Sequence, residues 1–121
     1  MKRALIVGIS DYSSTPFTSL GVAHADAVAV AEYLELDHYG FAVELIVNGD
    51  ATKRRVTESV IAVISSQPDC FILYFAGHGV TTPFGSYLVT ADSQEHDWGI
   101  DMSRILQAVA SASPVFRMMT L

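Results

Sequence analysis

The chain has 121 residues, half of them hydrophobic, with a mean hydropathy of +0.35; this composition excludes a disordered tail and predicts one domain with a substantial core. Thirteen acidic and seven basic residues give a net charge of −6, which argues against nucleic acid as a partner, because that binding depends on clustered Lys and Arg. A single cysteine, Cys70, excludes a disulfide within the chain and favours a reducing compartment. Since no apolar run approaches the roughly 18–20 residues of a membrane span, we expect a cytoplasmic protein with no membrane partner.

Hydrophobic patterns predict strands and helices in alternation along the chain. Short apolar runs predict strands at residues 4–9, 70–76 and 115–121, and a partial alternation, with Phe41, Val43 and Leu45 on one face, predicts another at 41–47. Apolar residues at helical spacing predict three helices between them, at about 22–38, from Asp50 or Thr52 to Pro68, and from Asp101 to Pro114. Residues 10–21 and 80–99 are predicted as loops, the second with a short apolar piece at 87–89. This order predicts an α/β fold whose mostly parallel sheet has helices on both faces.

Capping residues and apolar spacing predict the ends and buried faces of the helices. Asp50 or Thr52 is expected to cap the second helix and Asp101 the third, while Gly40 and Pro114 follow the ends of the first and third. The expected apolar faces are Ala23, Ala27, Val30 and Leu34 in the first helix, Val56, Val60, Val63 and Ile64 in the second, and Met102, Ile105, Leu106, Val109 and Ala110 in the third.

The candidate functional residues follow the strands, because sites in open parallel sheets form beyond the carboxyl ends of the strands. Ser10, Asp11 and Tyr12 follow the first strand, and Gly77-His78-Gly79 follows the third. An imidazole titrates near neutral pH, so His78 suits a general base or proton shuttle. The N–H of Gly79 can stabilise an oxyanion, because no side chain blocks its approach. A buried histidine in a tight turn is the alternative; the position after the most apolar strand favours the catalytic interpretation.

The other titratable residues carry weaker signals. On a helix, His24 and Asp26 point about 200° apart, and His38 near a helix end complements the helix dipole. No set of His, Cys, Asp and Glu has the spacing of a zinc site. Cys70 begins the third strand, so at roughly 3.3 Å per residue it lies about 25 Å from His78, too far for a catalytic pair.

Several segments in order resemble a known family. They are Lys2–Tyr12 (KRALIVGISDY), Leu20-Gly21 followed by Asp26-Ala27, Tyr39–Phe41 (YGF), Ala51–Lys53 (ATK) and Tyr74–Gly79 (YFAGHG). Together they resemble the caspase-like cysteine peptidases, in particular the metacaspases and related prokaryotic homologues. The similarity covers essentially the whole chain, and YFAGHG is its most specific piece. The resemblance implies a caspase-like three-layer sandwich.

The resemblance also implies roles for three residues. His78 matches the histidine of a Cys–His dyad, and Gly79 matches the glycine whose N–H joins the oxyanion hole. Asp26 matches an acidic residue that lines the pocket for a basic P1 side chain in metacaspases. The implied substrate is a peptide or protein cleaved after Arg or Lys, because no arginine between Arg3 and Arg54 is present to select aspartate.

No resident cofactor is expected, although some members of the resembled family use calcium. Asp92, Glu95 and Asp97 are the candidate calcium ligands in this chain, and a solvated acidic loop is the favoured alternative.

One part of the family pattern is missing from the sequence. The family's nucleophile lies in a segment of the type Asp-x-Cys-x-Ser/Ala-Gly after the fourth strand, and this chain ends at Leu121 where that segment should begin. We therefore expect residues 1–121 to be an incomplete caspase-like domain without activity of its own. The alternative is a non-catalytic interaction module of the caspase fold. An unrelated doubly wound domain, such as a receiver, is disfavoured, because Asp11 has no acidic neighbour and no Gly-rich phosphate loop is present.

The last predicted strand also bears on partners. Its nearly unbroken apolar run, residues 115–121, is flanked by further strands in the resembled family. An unpaired apolar edge favours pairing with another strand. We therefore expect a partner chain or a second copy to cover this edge.

Overall fold

The computed structural model describes residues 1–36 and 39–112, together with the backbone of a last strand at 115–120. Its elements in chain order are β1 (Lys2–Gly8), α1 (Ala23–Leu34), β2 (Phe41–Val47), a short 3-10 turn (Asn48–Asp50), α2 (Lys53–Ser65), β3 (Cys70–Ala76), β4 (Gly79–Thr82), β5 (Gly85–Gln94), β6 (Asp97–Asp101), α3 (Met102–Ala112) and β7 (Val115–Thr120). The longest helix in these ranges, α2, has 13 residues, fewer than a membrane span requires.

A four-stranded parallel sheet, in the order β2-β1-β3-β7, forms the centre of the fold. β1 has a strand on each side and a helical layer on each face, which is why its residues 4–7 are apolar without alternation. Alanines of α1 pack on one face of the sheet, against Ala4, Ile6 and Tyr74. Apolar residues of α2 and α3 pack on the other face, against Leu5 and Val7 among others. The predicted α/β sheet with helices on both faces is confirmed.

The register of the central strands aligns their carboxyl ends. β1 and β3 pair residue for residue from Lys2 opposite Cys70 to Gly8 opposite Ala76. The N–H of Ile9 then donates to the carbonyl of Ala76 at 2.9 Å, so the pairing continues just past the strand end. The loops that follow these two strands therefore leave the sheet at the same edge.

The prediction of an irregular connection at residues 80–99 is wrong, because a three-stranded antiparallel sheet, β4-β5-β6, occupies that segment. A shift in the β5–β6 register between Val89 and Gln94 breaks the alternation that sequence patterns detect. Gly99 lies inside β6 with φ of 151°. A Cβ at this position would collide with the carbonyl of Leu88, so the close strand pairing requires glycine.

The helix caps agree with the sequence predictions at two positions. The Thr52 hydroxyl accepts the N–H of Arg55 at 3.2 Å and begins α2. The Asp101 carboxylate accepts the N–H of Ser103 at 2.9 Å and begins α3. These bonds satisfy backbone donors that have no partner within the helix.

Other boundaries and faces differ from the predictions. α1 ends at Leu34, several residues early, and the Leu36 carbonyl accepts the N–H groups of Tyr39 and Gly40. In α3 the predicted apolar residue Leu106 is half exposed. The predictions that concern His38, Pro114, Leu121 and the side chains of 115–120 lie outside the described residues.

Substituting Gly8 with alanine should destabilise the fold, because a Cβ there would collide with the Cβ of Ala27 and lie 2.9 Å from the carbonyl oxygen of Ala23. We expect a loss of about 1–3 kcal/mol in the free energy of unfolding, as for other overpacked sites. Gly21→Ala is the matched control, since nothing lies within 4 Å of its added Cβ, and it should change stability by no more than about 0.5 kcal/mol. Urea unfolding measures both, and equal stabilities would contradict the prediction.

Candidate functional site

The loop between β1 and α1 is anchored by side chains at its two ends. Asn48, beyond β2, accepts the N–H groups of Ser10 and Asp11 with its Oδ1 at 2.9 and 3.1 Å. The hydroxyl of Ser10 accepts the N–H of His24 at 2.9 Å, which satisfies a free donor in the first turn of α1. The carbonyl of Ser10 accepts the N–H of Leu20 at 2.8 Å and closes the loop.

Bonds within this loop fold it back on Tyr12. The Tyr12 N–H donates to the hydroxyl of Ser19 at 3.0 Å, and its carbonyl accepts the hydroxyl of Thr15 at 2.7 Å. The N–H of Phe17 donates to the same Thr15 hydroxyl at 3.1 Å. The loop thereby places Phe17 and Thr18 against the turn that follows β3.

The imidazole of His78 is held by this loop. Its Nε2 lies 2.7 Å from the carbonyl oxygen of Thr18. Because a carbonyl only accepts, Nε2 is the donor, so in the neutral form of the ring the lone pair is on Nδ1. The ring packs against Phe17, with centroids 5.3 Å apart, and meets Tyr12 edge-on at 4.7 Å. His78 is therefore a half-buried base whose neutral form has one defined tautomer.

The backbone of His78 is held by the hydroxyl of Tyr12. That hydroxyl accepts the N–H of His78 at 2.9 Å and donates to the carbonyl of Val89 at 3.0 Å. Burial raises the pKa of Tyr12 to about 12, although the bond from the His78 backbone lowers the pKa slightly. The hydroxyl therefore keeps its proton and remains a donor throughout the physiological pH range.

The N–H of Gly79 faces away from β5. The N–H of Val89 donates to the carbonyl of His78 at 2.9 Å, and hydrogen-bonded pairs alternate along an antiparallel ladder. The next pair, Gly79 with Leu88, is therefore a non-bonded pair whose backbone groups point outward. Because β4 is the edge of its sheet, this N–H can meet an external acceptor.

A cavity of about 260 Å³ adjoins these groups. His78 and Gly79 line it together, and its remaining walls are Phe75, Gly77, Tyr87, Leu88 and Met102. The walls are mostly apolar, with an imidazole and a backbone donor beside them, which suits a polar reacting group on a largely apolar ligand.

Asp26 occupies a different place, on the exposed first turn of α1. Burial raises the pKa of Tyr74, and the charge of Asp26 adds to that rise, so the carboxylate lies near this tyrosine on the α1 face of the sheet. No contact in the described ranges joins Asp26 to His78. The start of α1 packs on Gly8 at the carboxyl end of β1, the same sheet edge as His78, and the substrate-binding role of Asp26 stays a prediction.

The other candidates are separate from this site. Cys70 is the first residue of β3, and His78 lies two residues past its last, so the strand length separates them. The Asp92 carboxylate accepts the N–H of Lys53 at 3.0 Å, and Asp97 pairs with the Lys53 ammonium at 3.0 Å. Glu95 lies beside His96. Within the described ranges, no group of three or more His, Cys, Asp or Glu side chains is arranged to hold a metal ion.

Sequence reasoning missed Phe17, Thr18 and the role of Tyr12. Tyr12 follows β1 and His78 follows β3, so a parallel pairing of these strands would have predicted their proximity. No sequence pattern could have predicted the contact of the Thr18 carbonyl, because every residue type presents the same backbone oxygen.

The caspase-domain family model, Peptidase_C14, matches residues 1–112. The chain therefore belongs to the caspase-domain family, a family of peptidases, as the order of its motifs predicted. Among solved structures it is similar to the protein GSU0716 from Geobacter sulfurreducens, with a TM-score of 0.65 and 20% identity. The match covers 99% of this chain and 49% of that one, so the two share a fold and the chain spans about half the length of that relative. No curated protein matches the sequence.

Alkaline titration should detect the buried Tyr12. Its pKa is about 12 in the fold against 10.0 for the free side chain, so the fold is stabilised by the neutral form below pH 10. That contribution, about 2–3 kcal/mol at roughly 1.4 kcal/mol per pH unit, is lost as the pH rises from 10 to about 12. Phenolate absorbance of the wild type minus Tyr12→Phe should show one tyrosine titrating near pH 12. A difference curve centred near pH 10 would contradict this assignment.

Proposed function

We propose that this chain supplies the general base and an oxyanion donor of a caspase-like cysteine endopeptidase. The observation that carries the proposal is the His78 imidazole, which bonds the Thr18 carbonyl through Nε2 at 2.7 Å and keeps Nδ1 as a base. The outward N–H of Gly79 lies one residue away at the edge of the same cavity. Membership of the caspase-domain family supports the reaction class.

The proposed reaction follows from these groups. Nδ1 of His78 takes the proton of a cysteine thiol, and the thiolate forms a bond to the carbonyl carbon of the scissile peptide. The oxyanion that develops accepts the N–H of Gly79. The imidazolium then returns its proton to the leaving amine as the C–N bond breaks. Water, deprotonated by the same imidazole, then attacks the carbonyl carbon of the thioester. The C–S bond breaks, the carboxylic acid product leaves, and the imidazolium returns its proton to the thiolate.

The thiol in this proposal comes from outside residues 1–121. Cys70 is the only cysteine of the chain and lies at the opposite end of β3 from His78. We therefore propose that the 121 residues have no peptidase turnover alone. A thiol nucleophile stays reduced in the cytoplasm, which is the compartment we propose.

A basic P1 side chain is the proposed specificity, as in the metacaspases. Asp26 is exposed near the carboxyl edge of the sheet, where its carboxylate can meet a cation. No arginine occurs between Arg3 and Arg54 to bind an acidic P1 side chain. Peptides and proteins with Arg or Lys before the scissile bond are therefore the proposed substrates.

Removing the imidazole should abolish catalysis. In a polypeptide that joins this chain to the family's nucleophile segment, His78→Ala should lower kcat at least ~100-fold, because the thiol loses its base. His96→Asn is the matched control, since His96 is exposed in the β5–β6 turn with φ of 66°, which asparagine tolerates. Turnover of a fluorogenic Arg substrate measures both, and unchanged activity in His78→Ala would exclude the proposed base.

Neutralising Asp26 should weaken the preference for basic substrates. In the same polypeptide, Asp26→Asn should raise KM for Arg and Lys substrates about 10-fold, because the substrate cation loses a charged hydrogen-bond partner. Glu32→Gln, farther along α1 and also exposed, is the control and should leave KM unchanged. A wild-type preference for Asp at P1 would defeat the proposal for this residue.

A non-catalytic interaction module is the second candidate function. The observation that favours it is the position of β7, which pairs only with β3 among the strands described and leaves its other edge open. We propose that a partner chain or a second copy adds a strand at this edge. The two functions differ in one result, because only the peptidase shows cysteine-dependent turnover once the nucleophile segment is joined.

A further inference from the structure

His78 and Val89 are opposite each other, one residue beyond the last pair of the β4–β5 ladder. Gly79 is opposite Leu88, so the next residues along each strand are His78 and Val89. The N–H of Val89 donates directly to the carbonyl of His78 at 2.9 Å. In a complete antiparallel pair, the N–H of His78 would also donate directly to the carbonyl of Val89.

The second bond of this pair runs through the hydroxyl of Tyr12 instead. The His78 N–H donates to that hydroxyl at 2.9 Å, and the hydroxyl donates to the Val89 carbonyl at 3.0 Å. At a tetrahedral hydroxyl these two bonds span roughly 5 Å, whereas a direct bond spans about 2.9 Å. One side of the ladder is thus held open by an inserted side chain.

The residues around the Tyr12 hydroxyl fix its position and leave room for it between the two strands. Tyr12 is fully buried, so its position is set by packing. Gly77 leaves room for the hydroxyl, because a Cβ at residue 77 would collide with it and would lie 3.0 Å from the ring of Phe75. The ring of the same tyrosine meets the imidazole of His78 edge-on.

We propose that Tyr12 is a positioning residue, which holds the β4–β5 ladder open at His78 and so sets the imidazole within reach of the Thr18 carbonyl. The catalytic consequence rests on the proposed peptidase function, while the structural one does not. Without the hydroxyl, the N–H of His78 donates directly to the carbonyl of Val89. This added pair of the ladder moves the His78 backbone toward β5. The bond between Nε2 and Thr18 is then lost, and with it the single tautomer that keeps Nδ1 as the base.

The structural test uses nuclear magnetic resonance on the 121-residue chain. In the wild type, we expect no through-hydrogen-bond coupling between the His78 nitrogen and the Val89 carbonyl carbon, and one imidazole tautomer with the proton on Nε2. In Tyr12→Phe, that coupling should appear and the second tautomer should become populated. Tyr33→Phe is the control, because it removes an exposed hydroxyl that bonds Tyr39, and it should match the wild type.

Each outcome of this test decides the proposal. A direct His78–Val89 coupling in the wild type would overturn it, and this measurement needs no variant to fold. A folded Tyr12→Phe chain with the wild-type tautomer and no new coupling would overturn it as well. Gly77→Ala provides a second variant, which should displace the hydroxyl and produce the same spectral changes.

The catalytic test separates the two proposals. In the polypeptide that carries the nucleophile segment, Tyr12→Phe should lower kcat about 10-fold or more and leave KM within about twofold, since the substrate contacts remain. Absence of turnover in the wild type would defeat the peptidase function, and the spectra would still decide the role of Tyr12. A changed KM with unchanged kcat would overturn the positioning role.

Discussion

The in-register pairing of β1 with β3 is the contact on which the site depends. Gly8 is opposite Ala76, so the two strands end at the same level of the sheet. Only three residues separate Gly8 from Tyr12, and one separates Ala76 from His78, which brings the two side chains together at one edge. A slip of one residue would exchange the two faces of β1 and turn Leu5 and Val7 toward α1, where alanines now pack against Ala4 and Ile6. The site would be lost together with the core, so the same pairing specifies both.

The turn at residues 77–78 joins two sheets of different kinds. β3 belongs to the parallel sheet and β4 to the antiparallel one, and the residues between them pair fully in neither. Backbone groups at such a junction must still be satisfied, because burying them without partners costs free energy. The Tyr12 hydroxyl and the Val89 backbone satisfy those of His78. The proposed catalytic geometry and the satisfaction of the backbone therefore depend on the same few bonds.

Local signals in the sequence predicted part of this structure accurately. The observed β2 and β3, Phe41–Val47 and Cys70–Ala76, coincide with the predicted strands, because each is a short apolar run between turn residues. The caps at Thr52 and Asp101 were also predicted, since a cap depends on neighbours two or three residues away. The hairpins of β4, β5 and β6 were not, because a register shift and a strand glycine interrupt their alternation.

The sequence alone determined the order of the parallel strands and the helices, the layers around the parallel sheet and the candidate pair His78 and Gly79, because periodicity and a Gly-His-Gly turn are local properties. Only the tertiary structure decided which atom of His78 carries the proton, because its partner is the carbonyl of Thr18, sixty residues away. It also decided that a tyrosine hydroxyl enters the β4–β5 ladder. Backbone oxygens are the same in every residue and hydroxyl contacts depend on packing, so no pattern in the sequence encodes either contact by itself.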